Sequence, residues 1–343
     1  MKPLLILDNH FRKRDELFSE ASFTALNALC DVRGGENAPM PRHLIEELLP
    51  DAMFYVASHP SLSRAEIASA PNLKATIEVS GAFRDGLDYD ACFNRGIEVL
   101  SCSPGFRNAV AEMALAMTLA GGRSLIAEHE AFRNGTERWL DDREDTDATL
   151  YGQTVGFIGY GEIARETHRL MKPFGTRIMA YDPHLKSGPH DVELTDLTTL
   201  ARTCRTIIVA AVPTETSREL VNAAMIAEMQ LGALVVVISR AWCVDFPALV
   251  SAAEAGRIRV ATDVFPDEPL AEDHAVRRSQ NVILSPHRAA AVPGGRRLIG
   301  DMILHDVGAM LNGKPERQLK RAEPDAVAAL VAAQSEMSAM PNT

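Results

Sequence analysis

The sequence contains few cysteines and few aromatic residues. Among its 343 residues are five cysteines and two tryptophans, and aromatic residues make up 6% of the chain. The cysteines are odd in number, scattered and without CxxC spacing, which argues against a disulfide framework and against a zinc site. We therefore expect no bound metal, and reduced thiols in the core of a cytoplasmic protein. They are Cys30, Cys92, Cys102, Cys204 and Cys243.

Positive charge is also in short supply. Lys and Arg number 35 against 46 Asp and Glu, and the formal net charge is −11. Such a balance argues against a polyanion-binding surface, so neither nucleic acid nor an acidic membrane is an expected partner. No apolar run approaches membrane-spanning length, and the N-terminal apolar stretch is too short for a signal peptide. The composition, 46% hydrophobic and 24% charged, is that of a soluble globular protein long enough for two domains.

The most informative motif is a glycine turn in the middle of the chain. A buried-strand pattern, Thr154–Ile158, leads into Gly159-Tyr160-Gly161-Glu162-Ile163-Ala164 and then into a helical pattern that ends near Phe174. A second strand pattern, Arg177–Tyr181, closes with Asp182. Strand, glycine turn, helix, strand and acid is the layout of a dinucleotide-binding βαβ unit.

Each position of this motif has a physical role. Gly159 can adopt the positive φ of a tight turn, and Gly161 lets the backbone approach a pyrophosphate closely. The helix N-terminus at Glu162 and Ile163 offers unpaired N–H groups to the phosphates. Asp182 would accept hydrogen bonds from the ribose hydroxyls of NAD and repel the 2′-phosphate of NADP. The alternative is a chance glycine turn in an ordinary α/β unit, which the helix and the distal acid disfavour.

Residues 1–103 alternate short apolar runs with helical patterns, which predicts a small parallel-sheet domain of its own. The predicted strands are Leu4–Leu7, Met53–Ala57, Ala75–Val79 and Ile97–Ser101, and the predicted helices are Asp15–Cys30, Pro41–Leu49, Arg64–Ala68 and Tyr89–Arg95.

A long apolar helix pattern follows, from Asn108 towards Phe132. It is too hydrophobic all round for a surface helix, and we interpret it as the connector into a second domain and as a subunit contact. The Asp-rich stretch Trp139–Asp147 predicts an exposed loop.

The second half of the chain repeats the βαβ pattern and predicts a doubly wound sheet. The predicted strands are Thr154–Ile158, Arg177–Tyr181, Thr206–Ala211, Ala233–Ser239, Val260–Val264 and Val282–Leu284. Helices, among them Ala223–Met229 and Phe246–Ala255, fall between the first five strands, and a helix over Arg297–Leu311 would return the chain to the first domain.

Three polar segments directly follow strands of this second sheet. They carry Arg240, then Asp263 and Glu268, and finally His287. Because ligands of such sheets bind beyond the carboxyl ends of the strands, we expect these four side chains to meet where the dinucleotide binds.

With these segments the sequence resembles the D-isomer-specific 2-hydroxyacid dehydrogenase family over nearly its whole length. The family's Val-Ala-Glu helix start and glycine turn are matched, and so are its Arg, Glu and His segments. The matching segments are Val110-Ala-Glu112, Gly159–Ala164, Ser239-Arg-Ala-Trp-Cys-Val-Asp245, Asp263-Val-Phe-Pro-Asp-Glu-Pro269 and Ser285-Pro-His287.

The resemblance implies an α/β fold with two doubly wound parallel-sheet domains. A Rossmann NAD-binding domain, residues 105–291, would be inserted into a flavodoxin-like substrate domain, residues 1–104 and 292–343. The implied activity is hydride transfer between NAD(H) and a D-2-hydroxy acid or 2-oxo acid, in a cytoplasmic homodimer.

The resemblance also implies roles for single residues. Arg240 would bind the substrate carboxylate and the 2-oxo group, His287 would be the acid/base, and Glu268 would pair with His287. Asp263 would lie on the nicotinamide side. The implied cofactor-binding residues, beyond the glycine turn and Asp182, are Ala211, Val212, Ser239, Arg240, Asp263 and His287. The implied substrate-binding residues are Gly81, Ala82, Phe83, Arg84, Arg240 and His287.

Several positions depart from the family pattern. Alanine stands where glycine is usual at Ala164, Ala241 and Ala290, and Arg288 takes a usually apolar position. The loop that carries Phe83 and Arg84 also differs from the usual form, and both side chains are equally well read as ordinary exposed loop residues. These departures indicate a side branch of the family and leave the substrate open.

A second class of function is compatible with the same residues. The C-terminal-binding corepressors resemble this family and use the fold for NAD(H)-dependent assembly, so an NAD(H)-sensing protein without significant turnover is the alternative. Hydride transfer from formate is a weaker possibility.

Overall fold

The computed structural model describes residues 2–9, 12–139 and 147–339. Of the exposed loop predicted from Trp139 to Asp147, residues 140–146 lie outside this described part. The chain divides into two compact units. The first unit comprises the residues up to Arg107 and those from Ala290 to Ala339, and the second runs from Asn108 to Ala289. The domain bounds implied by the family resemblance stay a prediction.

The first unit is built on a six-stranded sheet in the order β13-β5-β4-β3-β1-β2. Its strands are β1 (Leu4–Asp8), β2 (Asp31–Gly34), β3 (Ala52–Ala57), β4 (Ala75–Glu78), β5 (Glu98–Ser101) and β13 (Lys320–Arg321). Strands β1 to β5 pair in parallel, and only the short β13 runs antiparallel, along β5. The parallel order 2-1-3-4-5 is that of flavodoxin-like sheets.

Helices cover both faces of this sheet. They are α1 (Arg14–Leu17), α2 (Glu20–Leu29), α3 (Arg42–Leu48), α4 (Arg64–Ser69), α5 (Tyr89–Asn94), α12 (Arg297–Leu311) and α13 (Pro324–Ala339). Leu5 and Leu7 of β1 pack in one core cluster with Ile303 of α12, whereas Ile6 packs in a second cluster with Ile67 of α4. Successive strand side chains point to opposite faces, and because both faces are buried the strands read as continuous apolar runs.

The second unit carries a seven-stranded sheet in the order β12-β11-β10-β9-β6-β7-β8, parallel throughout its described pairings. Its strands are β6 (Thr154–Ile158), β7 (Arg177–Tyr181), β8 (Val192–Leu194), β9 (Thr206–Val209), β10 (Ala233–Val237), β11 (Ile258–Thr262) and β12 (Val282–Leu284). Its helices are α6 (Arg107–Gly122), which begins one residue before the unit, α7 (Leu125–Arg133), α8 (Glu162–Met171), α9 (Leu197–Thr203), α10 (Ala223–Glu228) and α11 (Phe246–Glu254). The predicted class of two parallel-sheet α/β domains is confirmed.

Two helices predicted to be continuous are each interrupted. The predicted helix over Asp15–Cys30 stops at Leu17, because the Ser19 side chain accepts a hydrogen bond from the backbone N–H of Ser22 and so starts α2 afresh. The predicted helix from Asn108 to Phe132 divides into α6 and α7 at Ser124, whose φ is 48°.

The second interruption has a tertiary cause. The Arg259 guanidinium donates a hydrogen bond to the Gly121 carbonyl, at 2.7 Å, and pairs with Asp147 at 3.0 Å. The Ser124 hydroxyl also donates to the Asp147 carboxylate, at 2.6 Å. A side chain from β11 thus takes a carbonyl that a longer helix would have used internally. No local sequence pattern predicts that contact.

The remaining expectations from composition have mixed outcomes. All five cysteines are free and buried, as predicted. Within the described residues no single helix has the length and apolarity to cross a membrane, although the stretches Ser103–Gly122 and Leu125–Arg133, bent by 59°, meet those criteria together. No group of three or more potential metal ligands occurs in the described ranges.

Strand β4 ends in a buried acid that organises the loop after it. Glu78 is 4% exposed, and its carboxyl group accepts hydrogen bonds from the backbone N–H of Gly81, at 2.8 Å, and from the Ser101 hydroxyl, at 2.9 Å. The Ser80 N–H also donates to it. Burial raises the pKa of Glu78 to about 7, since these hydrogen bonds only partly offset the loss of water around the charge.

This raised pKa makes the stability of the protein depend on pH. An ordinary glutamate titrates at 4.5 and the folded Glu78 at about 7, so the folded state binds the proton more tightly and Glu78 costs stability as pH rises through this window. The shift corresponds to about 3 kcal/mol. In urea unfolding, the free energy of unfolding of Glu78→Gln should rise relative to that of the wild type by up to about 3 kcal/mol between about pH 5 and about pH 8. Glu47→Gln, which alters an exposed carboxylate of α3, should show no such trend. A pH-independent difference for Glu78→Gln would contradict the assignment.

Candidate active site

The turn after β6 requires glycine at its first position. Gly159 has a φ of 81°, and its N–H donates to the Tyr181 carbonyl at 2.8 Å. A Cβ atom at Gly159 would lie 2.5 Å from the Cα atom of Ala211. The turn therefore packs backbone to backbone against the loop after β9, which brings together two regions predicted to bind the cofactor.

The third residue of the turn, Gly161, faces open space. Gly161 is the N-cap of α8, makes no side-chain capping bond, and is exposed. A Cβ atom placed there meets nothing within 4 Å. Ala164, by contrast, is fully buried where the helix packs on the sheet. The first turn of α8 thus begins beside open space, and the backbone N–H groups of such a helix start are suited to bind a pyrophosphate.

Asp182 lies beside this turn at the end of β7. One carboxylate oxygen accepts the Tyr160 N–H at 2.8 Å, and the other accepts the His184 N–H at 3.0 Å. A carboxylate has about four acceptor positions, so capacity remains for ribose hydroxyls. The Tyr160 ring points elsewhere: it is 3% exposed, and its hydroxyl group hydrogen-bonds to Nδ1 of His168 at 2.7 Å. Tyr160 therefore offers its backbone to this site.

These features fit an NAD molecule. The space at Gly161 suits the pyrophosphate, and Asp182 suits the ribose next to the adenine. Of the other predicted cofactor-binding residues, Glu162 and Val212 are exposed and Ile163 is half-buried, whereas Ser239 is buried at the end of the β10 segment.

A histidine and a glutamate form a pair beyond the carboxyl ends of β11 and β12, at one edge of the same sheet. Nδ1 of His287 lies 2.6 Å from Oε2 of Glu268, and the two side chains are 46% and 35% exposed. His287 adopts a φ of 51°, in the left-handed region that non-glycine residues seldom occupy. Such strain persists only where the surroundings hold it, and it is concentrated at functional sites.

The residue that holds His287 in this conformation is Asp263. Asp263 is 1% exposed, and its backbone carbonyl accepts the His287 N–H at 2.8 Å. One oxygen of its carboxylate accepts the Ser285 hydroxyl at 2.5 Å and the Arg288 N–H at 2.8 Å, and the other accepts the Ala289 N–H at 2.9 Å. Asp263 therefore builds the loop that carries His287. Its predicted contact with the nicotinamide side stays a prediction.

Arg240 belongs to the same group of side chains. It follows β10, and its Nη1 donates to the Ser239 carbonyl at 2.7 Å. Strands β10, β11 and β12 are neighbours in the sheet, so the segments carrying Arg240, Glu268 and His287 emerge side by side. Burial alone would raise the pKa of Glu268, but hydrogen bonds from His287 and Phe265, together with the charges of His287 and Arg240, lower it below the usual value.

The predicted substrate loop of the first unit has a mixed character. The Phe83 ring is 5% exposed and packs edge-on against Tyr89, so it belongs to the core. Gly81 and Ala82 are half-buried, and the Gly81 N–H is committed to Glu78. Arg84 is half-buried, and its Nε atom is fully buried. Whether these residues bind substrate stays a prediction.

Sequence reasoning missed the structural role of three residues that shape these loops. Asp263 was predicted to lie on the nicotinamide side, and Ser285 was given no role of its own. The hydrogen bond between them nevertheless positions the histidine loop. Glu78 was read as part of an apolar strand. The available signal was an acid at the end of an otherwise apolar run, where burial forces it to find hydrogen-bond donors.

The fold and the glycine turn define a two-domain, dinucleotide-binding α/β protein. Residues 115–289 match the model of the D-isomer specific 2-hydroxyacid dehydrogenase NAD-binding domain. The chain belongs to the D-isomer specific 2-hydroxyacid dehydrogenase family, and its cofactor is NAD(H).

Relatives of known name support this placement. The D-3-phosphoglycerate dehydrogenase of Methanocaldococcus jannaschii is 29% identical over 79% of this chain and 52% of the relative, so the chain spans about half of that protein's length. The glyoxylate reductase of Thermofilum pendens is 28% identical over 87% of this chain and 90% of the relative. Among solved structures, a phosphoglycerate oxidoreductase from Rhizobium etli is 32% identical, with a TM-score of 0.82 over 94% of this chain and 99% of the other.

The two glycines of the turn permit a paired test of structure against cofactor binding. Gly161→Ala should leave the urea midpoint unchanged, because a Cβ there meets no protein atom, yet weaken NADH binding by about 10-fold or more by blocking the pyrophosphate. Gly159→Ala should cost about 2 kcal/mol or more of folding stability, because the added Cβ collides with backbone. NADH fluorescence titration and urea unfolding measure the two effects. If Gly161→Ala binds NADH like the wild type, the cofactor is placed wrongly.

Proposed function

We propose that this protein is an NAD-dependent oxidoreductase that interconverts a D-2-hydroxy acid and the corresponding 2-oxo acid. The observation that carries the proposal is the His287–Glu268 pair with Arg240 beside it, in the unit that bears the dinucleotide turn. An acid/base, a group that fixes its orientation and a guanidinium for a carboxylate are the side chains that this reaction needs.

In this proposal His287 moves the proton. Its Nδ1 faces Glu268, which leaves Nε2 to hold the proton that passes to the 2-oxo oxygen during reduction and returns during oxidation. NAD(H), when bound, accepts or supplies the hydride. The lowered pKa of Glu268 keeps it ionised at neutral pH, so that it fixes the ring with Nδ1 protonated.

Arg240 has the substrate-binding role. A guanidinium group presents several N–H donors in a planar fork, which suits a carboxylate and lets one donor polarise the adjacent 2-oxo oxygen. Polarisation of that oxygen favours hydride addition to the carbonyl carbon, because negative charge develops on the oxygen during the addition.

The substrate class is tested with a panel of 2-oxo acids, assayed with NADH and NADPH in parallel. The panel contains glyoxylate, hydroxypyruvate and pyruvate, together with bulkier 2-oxo acids. We expect NADH-dependent reduction of at least one member and a lower rate with NADPH, which Asp182 should repel. Tight NADH binding without turnover of any member would instead favour an NAD(H)-sensing protein.

The acid/base role is tested by His287→Ala. Turnover should fall by roughly 100-fold or more while NADH binding stays near normal, because the imidazole acts on the substrate proton and not on the nucleotide. Glu268→Gln should keep only part of the activity, since a neutral amide fixes the orientation of the imidazole less firmly than a carboxylate does. His190→Ala, which removes an exposed histidine of the same unit, is the matched control. Unchanged turnover in His287→Ala would exclude the assignment.

The homodimer is likewise a proposal. Helix α7 buries none of its residues within the chain and exposes Leu125 and Phe132 at 58% and 59%. An exposed apolar helix face next to the connector helix supports a subunit contact there.

A further inference from the structure

Helix α8, which starts at the glycine turn, buries a histidine. His168 is 5% exposed, whereas Arg165 and Arg169 of the same helix are exposed. Burying a polar side chain costs free energy unless it is hydrogen-bonded, and an apolar residue would fill the position without that cost. The buried imidazole therefore needs a hydrogen-bond partner.

That partner is Tyr160, the residue between the two glycines of the turn. Its hydroxyl group lies 2.7 Å from Nδ1 of His168. The Tyr160 ring packs edge-on against Phe157 of β6, with ring centroids 5.9 Å apart, and the Arg165 guanidinium carbon lies 5.3 Å from the Tyr160 centroid. The hydrogen bond thus ties the turn to the helix that follows it.

The second nitrogen of the imidazole sets the direction of this hydrogen bond. Nε2 of His168 faces the Asp191 carboxylate at 3.6 Å, and Asp191 also pairs with Lys172 at 2.9 Å. Burial lowers the pKa of His168, Asp191 opposes this effect and Lys172 adds to it, so the ring is neutral at pH 7. The negative charge of Asp191 favours the proton on Nε2. We therefore assign Nδ1 as the acceptor of the Tyr160 O–H.

The backbone of Tyr160 reaches the cofactor site. Its N–H donates to the Asp182 carboxylate at 2.8 Å, and this carboxylate is the group suited to the ribose hydroxyls. Gly159 and Gly161, on either side, have no side chain to fix them and have more backbone freedom than any other residue type. The side chain of Tyr160 is therefore the anchor of the turn, and His168 holds that anchor by its hydroxyl group.

We propose that His168 is a positioning residue of the cofactor site, which acts through the Tyr160 hydroxyl to fix the glycine turn and Asp182 and so contributes to the discrimination between NADH and NADPH. A fixed carboxylate accepts the ribose hydroxyls of NAD and repels the 2′-phosphate of NADP, whereas a displaced one does both less well. The inference rests on the placement of the cofactor at Gly161 and Asp182, and not on the proposed hydride-transfer chemistry.

The test is equilibrium binding of NADH and of NADPH, followed by nucleotide fluorescence in the absence of substrate. Tyr160→Phe keeps the ring and removes only the hydroxyl group. We expect its NADH affinity to fall by about 3-fold or more, and the ratio of NADH to NADPH affinity to fall by a similar factor, since one hydrogen bond contributes on this scale. An unchanged ratio would overturn the proposal.

Variants of His168 separate positioning from stability. His168→Asn keeps an acceptor oxygen close to the place of Nδ1 and should retain most of the wild-type ratio, whereas His168→Phe keeps a ring without an acceptor and should resemble Tyr160→Phe. In the double variant Tyr160→Phe/His168→Phe neither partner of the lost bond stays buried and unpaired. Its urea midpoint should therefore exceed those of the two single variants, while the nucleotide ratio stays low. A ratio that follows the urea midpoint across this set would show a merely structural role and overturn the proposal.

Two controls complete the experiment. Thr118→Val removes a buried hydroxyl group of α6 that donates to the Ala114 carbonyl at 2.8 Å, and it should bind both nucleotides like the wild type. Gly161→Ala reports the placement of the cofactor. If Gly161→Ala weakens NADH binding while Tyr160→Phe leaves the ratio unchanged, the positioning role fails and the cofactor site stands. No substrate is present, so the result stays distinct from that of the 2-oxo acid panel.

Discussion

The carboxylate of Asp263 is the constraint on which the proposed catalytic group depends. It lies just beyond the end of β11, almost without exposure, and accepts three hydrogen bonds from the loop between Ser285 and Ala289. That loop can then hold His287 at a positive φ, a conformation that an unsupported chain would abandon. The pairing of His287 with Glu268 follows, because the ring is presented from a fixed backbone.

Acidic residues at two other strand ends likewise accept hydrogen bonds from the loops that follow. Asp182 accepts N–H groups of the glycine turn and of its own loop, and Glu78 accepts N–H groups of the loop that carries Arg84. In each case an acid at the carboxyl end of a parallel strand satisfies donors that the strand ladder no longer reaches. Burial decides how they differ: Glu78 is so enclosed that its pKa rises to about 7, whereas Asp182 stays half-exposed and keeps acceptor capacity for a ligand.

Most of the fold follows from local patterns in the sequence. Strands buried on both faces, such as β6 and β10, are continuous apolar runs, and the predicted helix over Arg297–Leu311 has the observed bounds. The strands that were missed are short and lie near sheet edges. Asp31–Gly34 and Val192–Leu194 contain no buried residue and so lack the apolar signature. The break at Ser124 was missed because a distant side chain, that of Arg259, causes it.

The sequence by itself determined the two parallel-sheet domains, the glycine turn and the family. Buried strands appear in it as continuous apolar runs, and the tight turn appears as glycines at fixed positions. It also named Arg240, Glu268 and His287 as candidates. Only the tertiary structure decided what holds His287, which is the buried Asp263 with the hydrogen bonds that it accepts from the histidine loop. Such contacts join residues far apart in the chain, and their energies depend on burial and distance, which no local pattern records.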